Sequence, residues 1–229
     1  AGRSCSTRNQ RHRCAPGRLA IGAEGRGRLE VGNQGAVEAG STVLGSHAGG
    51  VGELLVDGAG SRLNNSDPIV VGQLGQGSAT VRNGATVSSD LAVIGHGRGS
   101  RGEVTVEGDG SSWTSLGNTV VGNDGRGELT VTDGGRATSA QSMLLAQGAG
   151  SIGVVNIGTG GASGTLDAPE IAGGAGEASV NFNHKDDIDF GVRMTGSLAV
   201  NKLGGGTTTL LADNDYAGLT TIAAGTLRL

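Results

Sequence analysis

Large aromatic side chains are nearly absent from this sequence. Trp, Tyr and Phe make up 2% of the 229 residues, and Pro occurs 3 times. This composition disfavours a globular core built on large rings, so the buried side chains have to be Val, Leu, Ile and Ala. The 47 glycines lack the three-residue period of collagen, and apolar residues alternate too regularly for a disordered tract. The composition therefore favours a folded repeat protein.

Cysteine and long apolar runs are also scarce. Cys5 and Cys14 lie in one short segment, where they either close a small loop in an oxidising compartment or stay free. Two cysteines are too few for a disulfide framework. Because no run of about 18 apolar residues exists, we expect no membrane span. The start also lacks the apolar core of a signal peptide, so we expect any export signal to lie upstream.

Acidic residues are missing from residues 1–18, which contain five arginines. The formal net charge of the whole chain is -4, so the remainder carries about -9. An acidic body has no steady attraction for nucleic acid or anionic lipid, and we expect neither as a partner. Residues 1–18 do not fit the repeat described next. They are predicted to be an irregular basic segment or a cap.

A repeat of about 25 residues, a length typical of solenoid units, dominates the rest of the chain. A glycine followed by alternating apolar residues occurs seven times, beginning at Gly27, Gly52, Gly77, Gly102, Gly127, Gly153 and Gly176. Such alternation predicts a strand with one buried face. A second recurring pattern consists of two apolar residues followed by a small one. Its seven copies end at Gly22, Gly45, Gly72, Gly95, Gly122, Ala146 and Gly173. Its uneven intervals indicate that two turn designs alternate along one axis.

A unit of this length cannot close a hydrophobic core by itself, so the units have to stack on one another. Parallel stacking at a spacing of about 4.8 Å satisfies each backbone ladder and aligns the apolar side chains. We predict an all-β fold, a right-handed parallel β-helix, with the handedness taken from the general preference of parallel crossovers. Its coils span residues 19–181 and continue over 182–229. The prediction requires successive layers to superpose Val56, Val81, Val106 and Val131.

The C-terminal end of the chain carries a more specific signature. It consists of the segments Lys202-Leu-Gly204-Gly-Gly206-Thr207-Thr208-Thr209-Leu210, Asn214-Asp-Tyr216-Ala-Gly218-Leu-Thr220 and Ala224-Gly225-Thr226-Leu227. This pattern, over about residues 199–229, resembles the passenger-associated transport repeat of bacterial autotransporters. With the upstream coils, the resemblance covers roughly residues 19–229. Thr208, Leu211 and Ala212 depart from it, since they stand where the family usually has Leu, Ser and Gly.

The resemblance implies a function as well as a fold. It implies a passenger at the bacterial cell surface, in the outer membrane or secreted, which is threaded through a C-terminal outer-membrane β-barrel that this chain does not encode. It further implies a stalk or adhesin, acting in adhesion, aggregation or biofilm formation, and not an enzyme. A host receptor, a glycan and self-association are the candidate partners.

The residues themselves are also compatible with two alternative functions. One is a β-helical enzyme acting on polysaccharides, and the other is a module that binds a glycan or a host protein. Enzymes of this kind need long loop insertions and convergent acidic or basic side chains. The nearly constant length of the coils and the scattered Asp residues argue against the enzyme.

Three features invite a chemical interpretation. Asp109 and Ser111 suggest a serine nucleophile, but their turn recurs in other coils and no His stands ready as a base. The segment 122–127 suggests a calcium loop, but no carboxylate recurs at the equivalent positions to form a ligand ladder. His47 and His96 are predicted to be surface residues about two coils apart, too far for one metal ion.

A fourth group and the single tryptophan are also explained structurally. An exposed turn accounts for His184, Asp186, Asp187 and Asp189, although they could be imagined as a catalytic or metal cluster. Trp113 is predicted to cover a turn or the rim of the core, with carbohydrate stacking as the alternative. We therefore predict no catalytic, cofactor-binding or metal-binding residue. Outward polar columns are predicted to contain Glu53, Glu103, Glu128 and Glu177, and Thr80, Thr105 and Thr130.

Overall fold

The structure is a computed structural model that describes residues 6–8, 11–13 and 17–229. Within these ranges the chain forms β-strands and no helix. No part that is described contains a helix long and apolar enough to cross a membrane. The fold is a parallel β-solenoid, and its coils have the length that the repeat predicts.

Each regular coil has three strands, and equivalent strands of successive coils form three parallel stacks. The short-strand stack comprises β3 (Leu19–Ile21), β6 (Thr42–Leu44), β9 (Ile69–Val71), β12 (Ala92–Ile94), β15 (Thr119–Val121) and β18 (Met143–Leu145). The long-strand stack comprises β4 (Arg26–Val31), β7 (Val51–Asp57), β10 (Gln76–Arg82), β13 (Arg101–Glu107), β16 (Arg126–Thr132) and β19 (Ile152–Ile157). The third stack comprises β2 (Arg11–Arg13), β5 (Ala36–Ala39), β8 (Arg62–Asn65), β11 (Thr86–Ser89), β14 (Ser112–Ser115), β17 (Arg136–Ser139) and β20 (Thr165–Asp167).

The C-terminal coils follow a modified plan. Two long strands, β21 (Glu170–Phe182) and β23 (Arg193–Lys202), each continue both the short-strand and the long-strand stacks. Two short strands, β25 (Asp215–Tyr216) and β26 (Thr220–Ile222), pair with β23. A separate three-stranded sheet is formed by β22 (Ile188–Phe190), β24 (Thr207–Leu210) and β27 (Thr226–Arg228).

The interior is filled by columns of apolar side chains, one residue per coil. Val56 pairs with Val81, Val81 with Val106, and Val106 with Val131, and all four are fully buried. The superposition predicted from the sequence is therefore confirmed. Because the side chains of a strand alternate between faces, the residues between them point outward and remain half-buried.

The corner between the short and long strands favours glycine. Gly95 has φ +74°, and a Cβ there would lie 2.2 Å from the carbonyl oxygen of Arg126 in the next coil. Ala146 occupies the same corner one super-repeat later with φ +51°. The turns after the long strands alternate between the two predicted designs, with positive φ at Gly58 and Gly60 in one coil and at Asn83 and Gly84 in the next.

The predicted register is wrong at the end of the regular coils. The partner of Gly153 is Ala178, not Gly176, so the repeat continues two residues later than the glycine pattern suggests. A shift of two residues keeps the same face inward, and Phe182 therefore takes the buried position after Ile157. In the short-strand stack the partner of Leu145 is Gly173 itself, so Gly173 is not the equivalent of Ala146.

The N-terminal segment contributes one strand to the third stack. β2 pairs in parallel with β5, and β1 (Ser6–Arg8) pairs with β2 in an antiparallel arrangement. Cys5 and Cys14, the candidate disulfide, lie outside the described residues.

Candidate functional site

The outward face of the long-strand stack carries a continuous polar column. Thr80, Thr105 and Thr130 lie in successive coils, as predicted. The column continues through Asn156 and its equivalents in the next two coils, an extension beyond the predicted residues. Its side chains are linked by hydrogen bonds in which Asn156 donates to Thr130 (3.1 Å), Asn181 to Asn156 (2.8 Å) and Asn201 to Asn181 (2.9 Å).

The neighbouring acidic column is shorter than predicted. Glu103 lies over Glu128, but Glu177 pairs with Ile152 and belongs to the column of Arg126, because of the two-residue shift. Each of the two stacked glutamates has an arginine two residues earlier on the same strand face, and Arg126 lies 3.6 Å from Glu128. These pairs are solvent-exposed, so each adds little stability but offsets the repulsion between like charges.

A hydrogen-bonded turn holds Asp57 in its ionised form. Asn83 donates to Asp57 Oδ1 at 2.7 Å, and Arg82 donates to Oδ2 at 3.0 Å from the next coil. These two partners lower the pKa of Asp57 below its usual value of 3.8. The arrangement ties consecutive coils together at the end of the long strands.

The Ser111 hydroxyl has a structural partner in the turn after β13. Gly84 N donates to Ser111 Oγ at 3.0 Å, and Gln34 N donates to Ser61 Oγ at 3.1 Å in the equivalent place two coils earlier. The Ser111 side chain is buried. A recurring turn contact therefore accounts for this serine better than a nucleophile does.

The candidate calcium loop and the two candidate histidines also lie at corners. Asn123 donates to Asp124 at 3.0 Å and to the carbonyl of His96 at 3.2 Å, so the Asp124 carboxylate is engaged within its own loop. Gly122 is equivalent to Gly72 two coils earlier. His47 and His96 are exposed.

Trp113 lies in the core, not at its rim, and this corrects the prediction. Its side chain is 1% exposed, and it stacks between Val87 and Ala137 in the inward column of the third stack. The column continues to Leu166, which is the equivalent of Trp113 in that coil. Because the ring face is covered, carbohydrate stacking on Trp113 is excluded.

A buried polar cluster lies near the C-terminal end of the interior, where the sequence predicted an exposed turn. His184 is fully buried, and its Nδ1 lies 2.8 Å from the main-chain oxygen of Asp186 and 3.3 Å from Oδ1 of that residue. Both neighbours are acceptors, so Nδ1 carries the hydrogen in the neutral ring. Nε2 then accepts a hydrogen bond from Thr208 Oγ1 at 2.8 Å. The exposed-turn interpretation is wrong for His184.

Lys202 is the second buried member of this cluster. It is the register partner of Phe182, so a lysine stands in the interior column that holds valine in earlier coils. Its ammonium donates to the carbonyl of Gly204. Burial lowers the pKa of Lys202, whereas the charges of Asp186 and Asp187 act in the opposite direction.

The cluster has the residue types of a hydroxyl nucleophile, a base and an acid, but not the access. His184 and Thr208 are both 0% exposed, so no substrate reaches the hydroxyl. The Asp186 carboxylate is engaged by Ser163, whose N and Oγ donate to it at 3.0 and 2.6 Å. No group of three or more His, Cys, Asp or Glu residues in the described part of the chain could hold a metal ion. The arrangement favours a structural role.

We expect this region to be sensitive to acid. Burial raises the pKa of Asp186, but the hydrogen bonds from Ser163 and from its own main chain, together with His184, hold that pKa below 3.8. Hydrogen bonds from Thr207 lower the pKa of Asp187. The unfolded chain therefore binds more protons at acidic pH, and the free energy of unfolding falls as the pH drops below about 4. Urea unfolding between pH 7 and 3 measures this slope. Asp186→Asn should flatten it, and Asp67→Asn, at an exposed turn, should not; equal slopes for the wild type and Asp186→Asn would contradict the assignment.

Comparison with known proteins finds two similarities that bear on this geometry. Residues 200–229 match the passenger-associated-transport-repeat family. A segment of 66 residues, 28% of this chain, is 42% identical to the BmaC autotransporter adhesin of Brucella suis biovar 1 (strain 1330) and spans about 2% of that protein's length. No solved structure matches the chain. The transport repeat, this similarity and the parallel β-solenoid together fit the passenger domain of an autotransporter, surface-exposed or secreted.

Proposed function

We propose that this chain is a structural stalk in the passenger, that it takes part in adhesion, and that it has no catalytic activity. The observation that carries the proposal is the continuous parallel pairing of the long-strand stack from β4 through β23. Each coil adds about 4.8 Å to a rod whose interior is continuous. Such a rod carries a more distal part of a passenger away from the membrane.

The candidate catalytic groups support the non-enzymatic part of the proposal. Ser111 is used in a recurring turn contact, and His184 and Thr208 are buried without access for a substrate. The similarity to an adhesin and the transport repeat point the same way. A C-terminal outer-membrane translocator is the partner that this family relationship implies.

The test uses the protein as it is displayed on its native cells. Antibodies raised against residues 17–229 should label intact cells, and their Fab fragments should reduce attachment to host matrix proteins, cell–cell aggregation or biofilm formation, whereas pre-immune Fab should not. If the antibodies label the cells but their Fab fragments change neither attachment, aggregation nor biofilm formation, the adhesive role is refuted and the structural role as a stalk still stands. Release of product from a panel of anionic polysaccharides by the purified chain would refute the non-enzymatic assignment.

A further inference from the structure

The third stack is interrupted at one point, between β20 and β22. These strands belong to consecutive coils, whose other strands remain paired through β21. Among the described residues, however, no ladder joins β20 to β22. A cleft of about 780 Å³ opens between them, lined by both strands and by Ser139, Ser163, Pro169 and Gly191.

The interruption arises where the sequence leaves the regular repeat. The turn 158–164 is longer than the equivalent turns of earlier coils, and Thr132 forms an antiparallel bridge to Ser163. Asp186 then holds Ser163 through its main-chain N and its hydroxyl. One end of the cleft is therefore fixed by bonds between consecutive coils, so the opening is built into the fold.

The two strands direct main-chain groups into this cleft. In a parallel ladder, alternate residues direct their N–H and C=O to opposite sides. Thr165 N donates to Gly135 O at 2.8 Å, so the main-chain N–H and C=O of Thr165 point to β17. Those of Leu166 therefore point into the cleft. On the other wall, Leu211 N donates to Phe190 O at 3.0 Å, so the main-chain N–H and C=O of Phe190 point to β24. Those of Asp189 therefore point into the cleft.

Two open strand edges thus face each other across a gap in a parallel stack. A main-chain N–H and C=O without partners favour the addition of another strand. A carbohydrate would not match two facing edges of alternating donors and acceptors, whereas an extended peptide does.

The charge and the apolar residues of the two walls indicate which side chains a bound peptide should carry. Asp167 is paired with Arg136 at 2.5 Å, whereas Asp189 is exposed and has no cationic partner within the described part of the chain. The inward residues on the two walls, Leu166 and Phe190, are apolar. A peptide with apolar residues inward and Lys or Arg between them complements both features.

We infer that the cleft between β20 and β22 is a binding site for an extended peptide of a partner protein, with alternating apolar and basic residues, added as a strand of the third stack. The contact covers about three to five residues, because each wall strand has three. The site does not depend on the stalk function, and peptide binding can fail while the stalk proposal stands.

The first test is amide hydrogen exchange of the whole chain. The amides of Leu166 and Asp189 should exchange at least tenfold faster than those of Thr165 and Phe190, and a pool of hexapeptides alternating Lys or Arg with apolar residues should slow them. Peptides N-methylated at alternate positions should have no effect. Slow exchange of Leu166 and Asp189 without peptide would mean a closed ladder and would overturn the inference.

The second test blocks the cleft. Gly191 lines the cleft and a Cβ there meets nothing within 4 Å, so Gly191→Trp places a bulky side chain beside the cleft with no clash at Cβ. Gly25→Trp is the matched control at an equally open position. Gly191→Trp should weaken binding of the peptide pool at least tenfold and Gly25→Trp should not; Asp189→Asn should weaken it less. Equal binding by all variants, no binding of the pool to the wild type, or protection by neutral oligosaccharides instead of peptides would each overturn the inference.

Discussion

Trp113→Ala is expected to lower the free energy of unfolding by about 3–5 kcal/mol, the usual cost of removing a buried aromatic side chain. The ring is the largest fully buried side chain and packs between the inward residues of two neighbouring coils. The backbone of these coils is held by ladders on both sides, so the cavity cannot collapse. Urea unfolding followed by circular dichroism measures the loss.

The matched variant is Trp113→Leu. Leu63 fills the same column two coils earlier and is fully buried, so a leucine there is compatible with the backbone. It should recover a large part of the stability lost with alanine.

Ala137 lies directly beside the ring, and Ala137→Leu should lower the free energy of unfolding by about 1–3 kcal/mol through overpacking. A loss under about 1 kcal/mol for Trp113→Ala would contradict the tight packing of this column.

The regular interior could be predicted from the sequence because two periods reinforce each other there. Alternation within a strand identifies the inward residue, and the interval of the repeat identifies its neighbour in the next coil, as for Val81 and Val106. Stacking identical positions is the one way such a unit buries its apolar face. The polar column of Thr105 and Thr130 follows from the same reasoning, since it is the outward half of the pattern.

The irregular end could not be predicted in the same way. Gly176 continues the glycine pattern, but a shift of two residues preserves the inward face, so alternation alone does not distinguish Gly176 from Ala178 as the partner of Gly153. In the observed register, Phe182 fills the interior beside Ile157. The extension of the polar column to Asn181 could have been predicted, because Asn181 follows Asn156 at the 25-residue interval of the repeat, whereas Asn201 follows after 20 residues.

The buried polar cluster and the cleft have no local sequence signal. His184 is read as a surface residue because acidic residues follow it, and its partner Thr208 lies one coil further along the chain. Thr208 stands where the passenger-associated transport repeat usually has leucine. This departure is the one sequence clue to a buried polar partner such as His184. The cleft depends on a missing ladder, which becomes visible once the coils are assembled.

The register of the coils is also expected to decide whether a shortened chain folds. Deleting residues 55–104 joins Leu54 to Thr105 and removes one super-repeat, because Leu54 is equivalent to Val104 through Ala79. The turn design and the inward face are preserved at the junction. This variant should unfold cooperatively and form a rod about 10 Å shorter.

Deleting one residue more, 55–105, reverses the faces of the strand after the junction. Val106 then points outward and Glu107 points into the valine column, where an unpaired carboxylate costs several kcal/mol. We expect this variant to be at least about 3 kcal/mol less stable than the 55–104 deletion, or to lose its cooperative transition. The two chains differ by one residue, so length and composition are matched. Equal stability in urea would show that backbone pairing, not the interior columns, sets the register of this solenoid.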